Sequence, residues 1–190
     1  VGGGPIGCEL SQAFARLGSS VTQIERGSRL LKKEDVEVAD YAKDCLEADG
    51  VTVLLYHDAI RCQRDSDLIS ATDKPQQSLT VQDKQGIEIT IEFDALIIAV
   101  GRQARLTGYG LDNLGIDTDA DNGKTVVTND YLETKFPNIL AAGDVAGPYQ
   151  FTHVASHQAW YAAVNALCGT FKKFKADYRV IPWVTFIDPE

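Results

Sequence analysis

Gly2-Gly3-Gly4-Pro5-Ile6-Gly7 places three glycines in a Gly2-x-Gly4-x-x-Gly7 pattern, a spacing suited to gripping a pyrophosphate. Each glycine has its own mechanical reason. The first permits a tight strand-to-helix turn, the second lets phosphate oxygens approach the backbone, and the third lets helix and strand close together. A helix opening at this turn aims its free N–H groups and positive dipole end at an anion. Glu25 lies 18 positions after Gly7, near the roughly 20 expected for a carboxylate that holds the ribose hydroxyls of NAD. Such a carboxylate repels a 2′-phosphate and favours NAD(H). Arg26, followed by Arg29, Lys32 and Lys33, can instead accommodate NADP, or simply form a solvated loop. A glycine-rich turn with no ligand is the plainer reading, so the surrounding elements must carry the claim.

Those elements are legible. Ile6, Leu10, Ala13, Phe14 and Leu17 fall on a single helix face, and Gly18 stands where a C-terminal cap would end that helix. Residues 21–24 read as a strand closing on Glu25. A helix over about 35–49 ends at Gly50, and residues 51–55 make the next strand. Strand, helix, strand, helix, strand is a Rossmann half, with its first strand lying ahead of the glycine turn. Residues 61–77 are polar. Residues 78–82 and 87–93 alternate apolar and polar around the turn 83–86, which predicts an antiparallel hairpin. The apolar run 94–100 predicts a buried strand that ends at Gly101-Arg102.

A second informative region runs from Thr134 to Val145. A short apolar strand leads into Ala141-Ala142-Gly143 and then Asp144, followed by a predicted helix over 152–167. Small residues at a strand end admit a bulky ligand, and Asp144 can accept hydrogen bonds from a ligand hydroxyl. An ordinary strand-to-helix loop with a capping aspartate has the same composition.

Composition bounds the function classes. Hydrophobic residues at 44% and charged residues at 24% suit a globular α/β chain, and 190 residues allow one large domain or two small ones. A net charge of −9 argues against nucleic acid or an anionic membrane as partner. No segment approaches the ~20 apolar residues of a membrane span. Cys8, Cys45, Cys62 and Cys168 form no CxxC pair and no metal-like cluster, a usage that fits a reducing, cytoplasmic setting. Cys45 shares an apolar helix face with Val38, Ala42 and Leu46, which predicts a core position, and Cys8 reads as a small buried side chain. His57, His153 and His157 lie in no metal-ligand spacing. The absence of any methionine, with the turn at residue 2, reads as a piece of a longer protein.

Three segments occur here in a telling order and spacing: the run Gly2 to Glu9, the step Ala99-Val100-Gly101-Arg102, and the segment from Thr134 to Asp144. Together they resemble the pyridine nucleotide–disulfide oxidoreductases. Phe151-Thr152-His153-Val154-Ala155 and the ending over 178–190 are most similar to the mercuric reductase and dihydrolipoamide dehydrogenase branch. The resemblance covers essentially the whole chain. It implies an α/β fold: a Rossmann-like NAD(P)-binding domain with an antiparallel hairpin over 1–103, and the C-terminal part of an FAD-binding domain over 104–170. Residues 171–190 would begin an interface domain that makes a homodimer. The implied cofactors are FAD and NAD, with NADP also admitted. In the implied parent enzyme, hydride passes from nicotinamide to flavin and on to a disulfide or metal-ion substrate.

Carried over by position, Gly2, Gly4 and Gly7, with Pro5 and Ile6 in the same turn, would cradle the pyridine nucleotide. Glu25 would take the adenosine ribose, with Arg26 beside it. Glu9 matches a family glutamate near the nicotinamide and flavin; its plainer role is a first-turn acid complementing the helix dipole. Gly101 belongs to the second matching segment. Gly143 and Asp144 would meet the ribityl–phosphate region of FAD. Phe151, Thr152 and His153 would open the helix whose N–H groups face the flavin pyrimidine ring, where negative charge builds on reduction. The family's redox Cys-x4-Cys pair has no match among the four cysteines. No residue of the chain therefore takes the thiol chemistry, and the piece alone is expected to be inactive. A flavin-dependent NADH reductase without the disulfide and a non-catalytic NAD(H)-binding module are the alternative readings.

Overall fold

The computed structural model describes residues 1–69, 75–119 and 125–189. The chain divides into two units, Val1–Gly101 with Val184–Glu190, and Arg102–Trp183. Helices and strands are mixed, with both parallel and antiparallel pairing.

In the first unit the glycine turn opens α1 (Pro5–Arg16), with Pro5 in the first turn, where its missing N–H costs nothing. Gly18, at φ +93°, ends α1 in a Schellman motif: its N–H reaches Ala15 O at 2.9 Å and the Ser19 N–H reaches Phe14 O at 3.0 Å. Next come β1 (Thr22–Glu25), α2 (Val36–Ala48) and β2 (Thr52–Leu55). Gly50 closes α2 in the same way, with its N–H on Glu47 O and the Val51 N–H on Leu46 O, both at 3.0 Å. β1 and β2 pair in parallel from Thr22 opposite Thr52 to Glu25 opposite Leu55.

The helix faces are not those the apolar spacing predicts. α1 buries Gly7, Cys8 and Gln12, while Ile6, Leu10, Phe14 and Leu17 stay exposed, Leu17 at 81%. Small Gly7 and Cys8 let the helix close onto the backbone beneath it. Gln12 is buried because its amide is satisfied, donating to Asp49 Oδ2 at 2.7 Å and to Asp188 O at 2.8 Å while accepting the Asp188 N–H at 2.7 Å. On α2 the buried side chains are Ala39, Ala42 and Leu46; Val38 is exposed and Cys45 only half-buried, against the expected core position. The core here joins Cys8, Leu30, Leu31, Ala42, Leu46, Val51 and Ile187. Each fully buried leucine in it contributes roughly 1.5–3 kcal/mol.

The expected hairpin is one edge of a three-stranded antiparallel sheet ordered β3 (Asp58–Ile69), β4 (Pro75–Gln82), β5 (Glu88–Glu92). Leu79 lies opposite Ile91 and Val81 opposite Ile89. Asp83 shapes the turn, its Oδ1 accepting the N–H groups of Gln85 and Ile87 at 2.9 and 2.8 Å. β3 occupies much of the polar stretch that carried no strand signal, of which residues 70–74 lie outside the described residues. Its described side chains from Ile60 to Arg64 are all exposed, so no burial alternation marks it; pairing with β4 alone defines it. Leu79 and Val81 join Ile24 in a second core cluster, against which Val1, Leu54, Ile91, Phe93 and Leu96 lie.

The predicted buried strand over 94–100 is corrected. That run is in no strand, and Ile98 and Val100 are each 70% exposed. Among the described residues its backbone pairs with backbone only at Val1, whose amino group donates to Ile97 O and whose carbonyl accepts the Ala99 N–H, both at 2.7 Å; Asp94 O accepts the Gln77 side-chain amide at 3.4 Å. One residue is too short a partner to build a ladder.

The second unit is poorer in regular structure. α3 (Leu111–Leu114) sits between left-handed Gly110 and Gly115, and β6 (Thr118–Asp119) pairs antiparallel with β7 (Thr125–Val126). Leu111, Ile116 and Val126 form its core with Leu106, Ile139, Ala141 and Val145. The short strand predicted before Asp144 reduces to one bridge, Glu133 to Leu140. A 3-10 turn, Gly143–Val145, then precedes α4 (Thr152–Cys168), which matches the predicted helix closely. No helix among the described residues is long and apolar enough to cross a membrane.

Candidate functional site

The turn at residues 2–7 is built by close contact. Gly2 has φ +114°, and a Cβ there would collide with the Ala99 carbonyl; a Cβ on Gly7 would collide with the Gly2 carbonyl. Gly4 differs: nothing lies within 4 Å of where its Cβ would be, and its φ of −80° with ψ 178° is ordinary extended backbone. The N–H groups of Gly4, Ile6 and Gly7 have no protein acceptor among the described residues, and Pro5 has no N–H. Pro5 and Ile6 are exposed at the mouth of the turn. This leaves a rigid, electropositive helix end open to an anion.

Glu25 is brought to the turn by the end of β1. Its Oε2 accepts the Gly3 N–H at 2.8 Å, its Oε1 accepts the Gly27 N–H at 2.6 Å, and Lys32 Nζ stands 3.2 Å from Oε1. Burial pushes this carboxyl upward, but the Gly27 and Gly3 N–H groups and the Lys32 ammonium outweigh it, leaving the pKa below the usual value. Arg26 is exposed next to it. Glu9, one turn along α1, accepts the Phe186 N–H on Oε1 at 3.0 Å. Gly101 has left-handed backbone, φ +119°, and is exposed, with no hydrogen bond joining it to the turn. Beneath the turn Cys8 is fully buried, and burial pushes its thiol up to about 11.

The second group of candidate residues lies in the other unit. Gly143 takes φ +80°, and its N–H donates to Gln158 Oε1 at 2.5 Å. Gln158 is fully buried on α4; its Nε2 donates to Gly147 O at 2.5 Å and to the Tyr178 hydroxyl at 2.8 Å. One amide thus fixes the turn that carries half-buried Asp144. Phe151, at the N-cap of α4, supplies no side-chain cap, and no acid stands in the first turn. The N–H groups of Thr152, His153 and Val154 have no protein acceptor among the described residues. Phe151 stacks on His153 at 5.3 Å and on Trp183 at 6.3 Å between ring centroids.

Lys32, read as part of a basic or solvated loop, pairs with Glu25, while Gln12, Gln23 and Gln158 went unread in the sequence. Their only local signal is an amide in an otherwise apolar stretch, as with Gln23 between Thr22 and Ile24. Among the described residues no group of side chains could hold a metal ion, and all four cysteines are free.

A helix end open to phosphate, with an acid at the neighbouring strand end, is the frame of a nucleotide-dependent α/β protein. The sequence places it: residues 1–159 match the profile of the family described as pyridine nucleotide-disulphide oxidoreductase, and the chain belongs to that family. Membership implies flavin and nicotinamide cofactors. All 190 residues are 35% identical to a dihydrolipoyl dehydrogenase of Bacillus subtilis (strain 168), covering 38% of that protein. Over 189 residues, covering all of this chain, the identity to a mercuric reductase of Streptomyces lividans is 36%, over 37% of its length. Among solved structures, the HOCl-induced flavoprotein disulfide reductase RclA from Escherichia coli superposes with a TM-score of 0.79 at 29% identity. That match covers 100% of this chain and 40% of that one. The chain therefore spans about two-fifths of the length of these relatives.

Proposed function

We propose that this chain carries the nicotinamide-nucleotide site and part of the flavin site of an FAD-dependent NAD(P)H oxidoreductase. In that enzyme hydride passes from the nicotinamide to the flavin and on to a disulfide or metal-ion substrate. The proposed architecture is a Rossmann-like NAD(P) domain over 1–103, the second segment of an FAD domain over 104–170 and the start of a homodimer interface over 171–190. Family membership and the relatives' names support the reading; the setting proposed for it is the cytoplasm, where free thiols persist.

Gly4 carries the argument. The fold itself requires Gly2 and Gly7, because a Cβ on either would strike backbone. It does not require Gly4, whose Cβ would point into open space. Glycine there makes sense as clearance for a phosphate, which the Gly4, Ile6 and Gly7 N–H groups would hold at the positive end of α1. Glu25 would bind the adenosine ribose, and Asp144 with the first turn of α4 would hold FAD. The cofactors supply the hydride transfer, while these residues bind and orient them.

Titration calorimetry of the 190-residue chain tests this. Gly4→Ala leaves Tm unchanged and weakens NADH binding about tenfold, the loss of roughly one charge-assisted hydrogen bond. A wild-type chain that binds neither NADH nor NADPH would overturn the reading, as would equal binding by the variant.

A further inference from the structure

Gln23 lies in the middle of β1 at 2% exposure, an odd place for an amide. Strand alternation puts Gln23 and Glu25 on one face of β1, and that face meets the glycine turn. Gln23 Nε2 donates to Gly2 O at 3.1 Å, and Glu25 Oε2 accepts the Gly3 N–H at 2.8 Å. The two ends of a single peptide plane are therefore held by side chains two positions apart.

The remaining polar groups are also spent. Gly2 N–H donates to Ile24 O at 2.8 Å, and Gly3 O accepts the Leu31 N–H at 2.7 Å. Gln23 Nε2 also lies 3.5 Å from Cys8 Sγ, which is itself 3.7 Å from Gly3 O. Gly4 N–H is then the first group of the turn left to meet an anion. Against this, Gln23 Oε1 is buried with no partner among the described residues. An orphaned buried acceptor costs stability that an aliphatic side chain of the same length would not. Stability alone does not select glutamine here, because the bond from Nε2 to buried Gly2 O is offset by the orphaned Oε1.

We propose that Gln23 is a positioning residue of the pyrophosphate site. Its amide fixes the Gly2–Gly3 peptide so that Gly4 N–H and the first turn of α1 face the phosphates. The inference rests on the nicotinamide-nucleotide reading above.

Gln23→Met keeps length and bulk, drops the donors and removes the orphaned oxygen; Gln23→Leu does the same with a shorter chain. The measurements are Tm, calorimetric Kd for NADH, and hydrogen exchange at Gly3 N–H, all on the 190-residue chain. For Gln23→Met the expected result is a split: Tm close to wild type, since an orphaned Oε1 is exchanged for an unpaired Gly2 O, NADH binding about fivefold weaker, and faster exchange at Gly3. Unchanged affinity in a wild-type background that binds NADH would overturn this inference alone. Tm and affinity falling together, or loss of folding in both variants, would make Gln23 a plain core residue and overturn it too. No NADH binding by the wild-type chain would sink the nucleotide reading and this inference with it.

Discussion

Glu25 spends its carboxylate inside the turn it would serve. Two backbone N–H groups and Lys32 hold it, so its pKa lies below the usual value despite burial. A carboxyl lowered in the folded state adds stability that is complete above its unfolded pKa and is lost as pH falls through the folded value. The Tm gap between wild type and Glu25→Gln should therefore be full at neutral pH and shrink as pH falls below the unfolded value of about 4.3 and through the lower folded one. At neutral pH Glu25→Ala should weaken NADH binding more than NADPH binding, since Lys32 would then be free to meet a 2′-phosphate; equal losses would remove Glu25 as the ribose contact. Cys8 offers a simpler check. Its buried thiol, raised to about 11, should resist a thiol reagent at neutral pH while exposed Cys62 and Cys168 react at once. Peptide mapping after a short labelling pulse distinguishes them.

At the scale of elements, the two long helices of the first unit stop where glycine can turn left-handed. Gly18 and Gly50, at φ +93° and +89°, have open space around a would-be Cβ, so only backbone conformation opposes substitution. Gly18→Ala and Gly50→Ala should each cost about 1 kcal/mol in urea unfolding. Gly4→Ala should cost nothing by the same measurement, because Gly4 is not left-handed. These stops were legible in the sequence because a cap is a local conformational need. Which face a helix covers was not. The apolar spacing of Ile6, Leu10, Phe14 and Leu17 marks a side of α1, yet burial falls on Gly7, Cys8 and Gln12, where small size and a satisfied amide permit contact. β3 escaped for the opposite reason, since its described side chains from Ile60 to Arg64 are all exposed and leave pairing as the mark of that stretch. The run 94–100 looked like a buried strand because its composition is apolar, but a strand needs a backbone partner, and among the described residues its backbone pairs with backbone only at Val1.

At the scale of the whole molecule, the sequence by itself determined the family. The run Gly2 to Glu9, the step Ala99 to Arg102 and the segment Thr134 to Asp144 are short local patterns, and Gly2 and Gly7 in the first are needed because a Cβ on either would strike backbone. They sufficed to point to the family that the profile match then established over residues 1–159. The tertiary structure decided how those parts are held. Gln12 finds Asp188 across 176 positions, Gln23 finds Gly2 across 21, and Gln158 finds Gly143 across 15. A buried amide is tolerable only where both its partners are met or its cost is offset, and those partners are set by packing between distant segments.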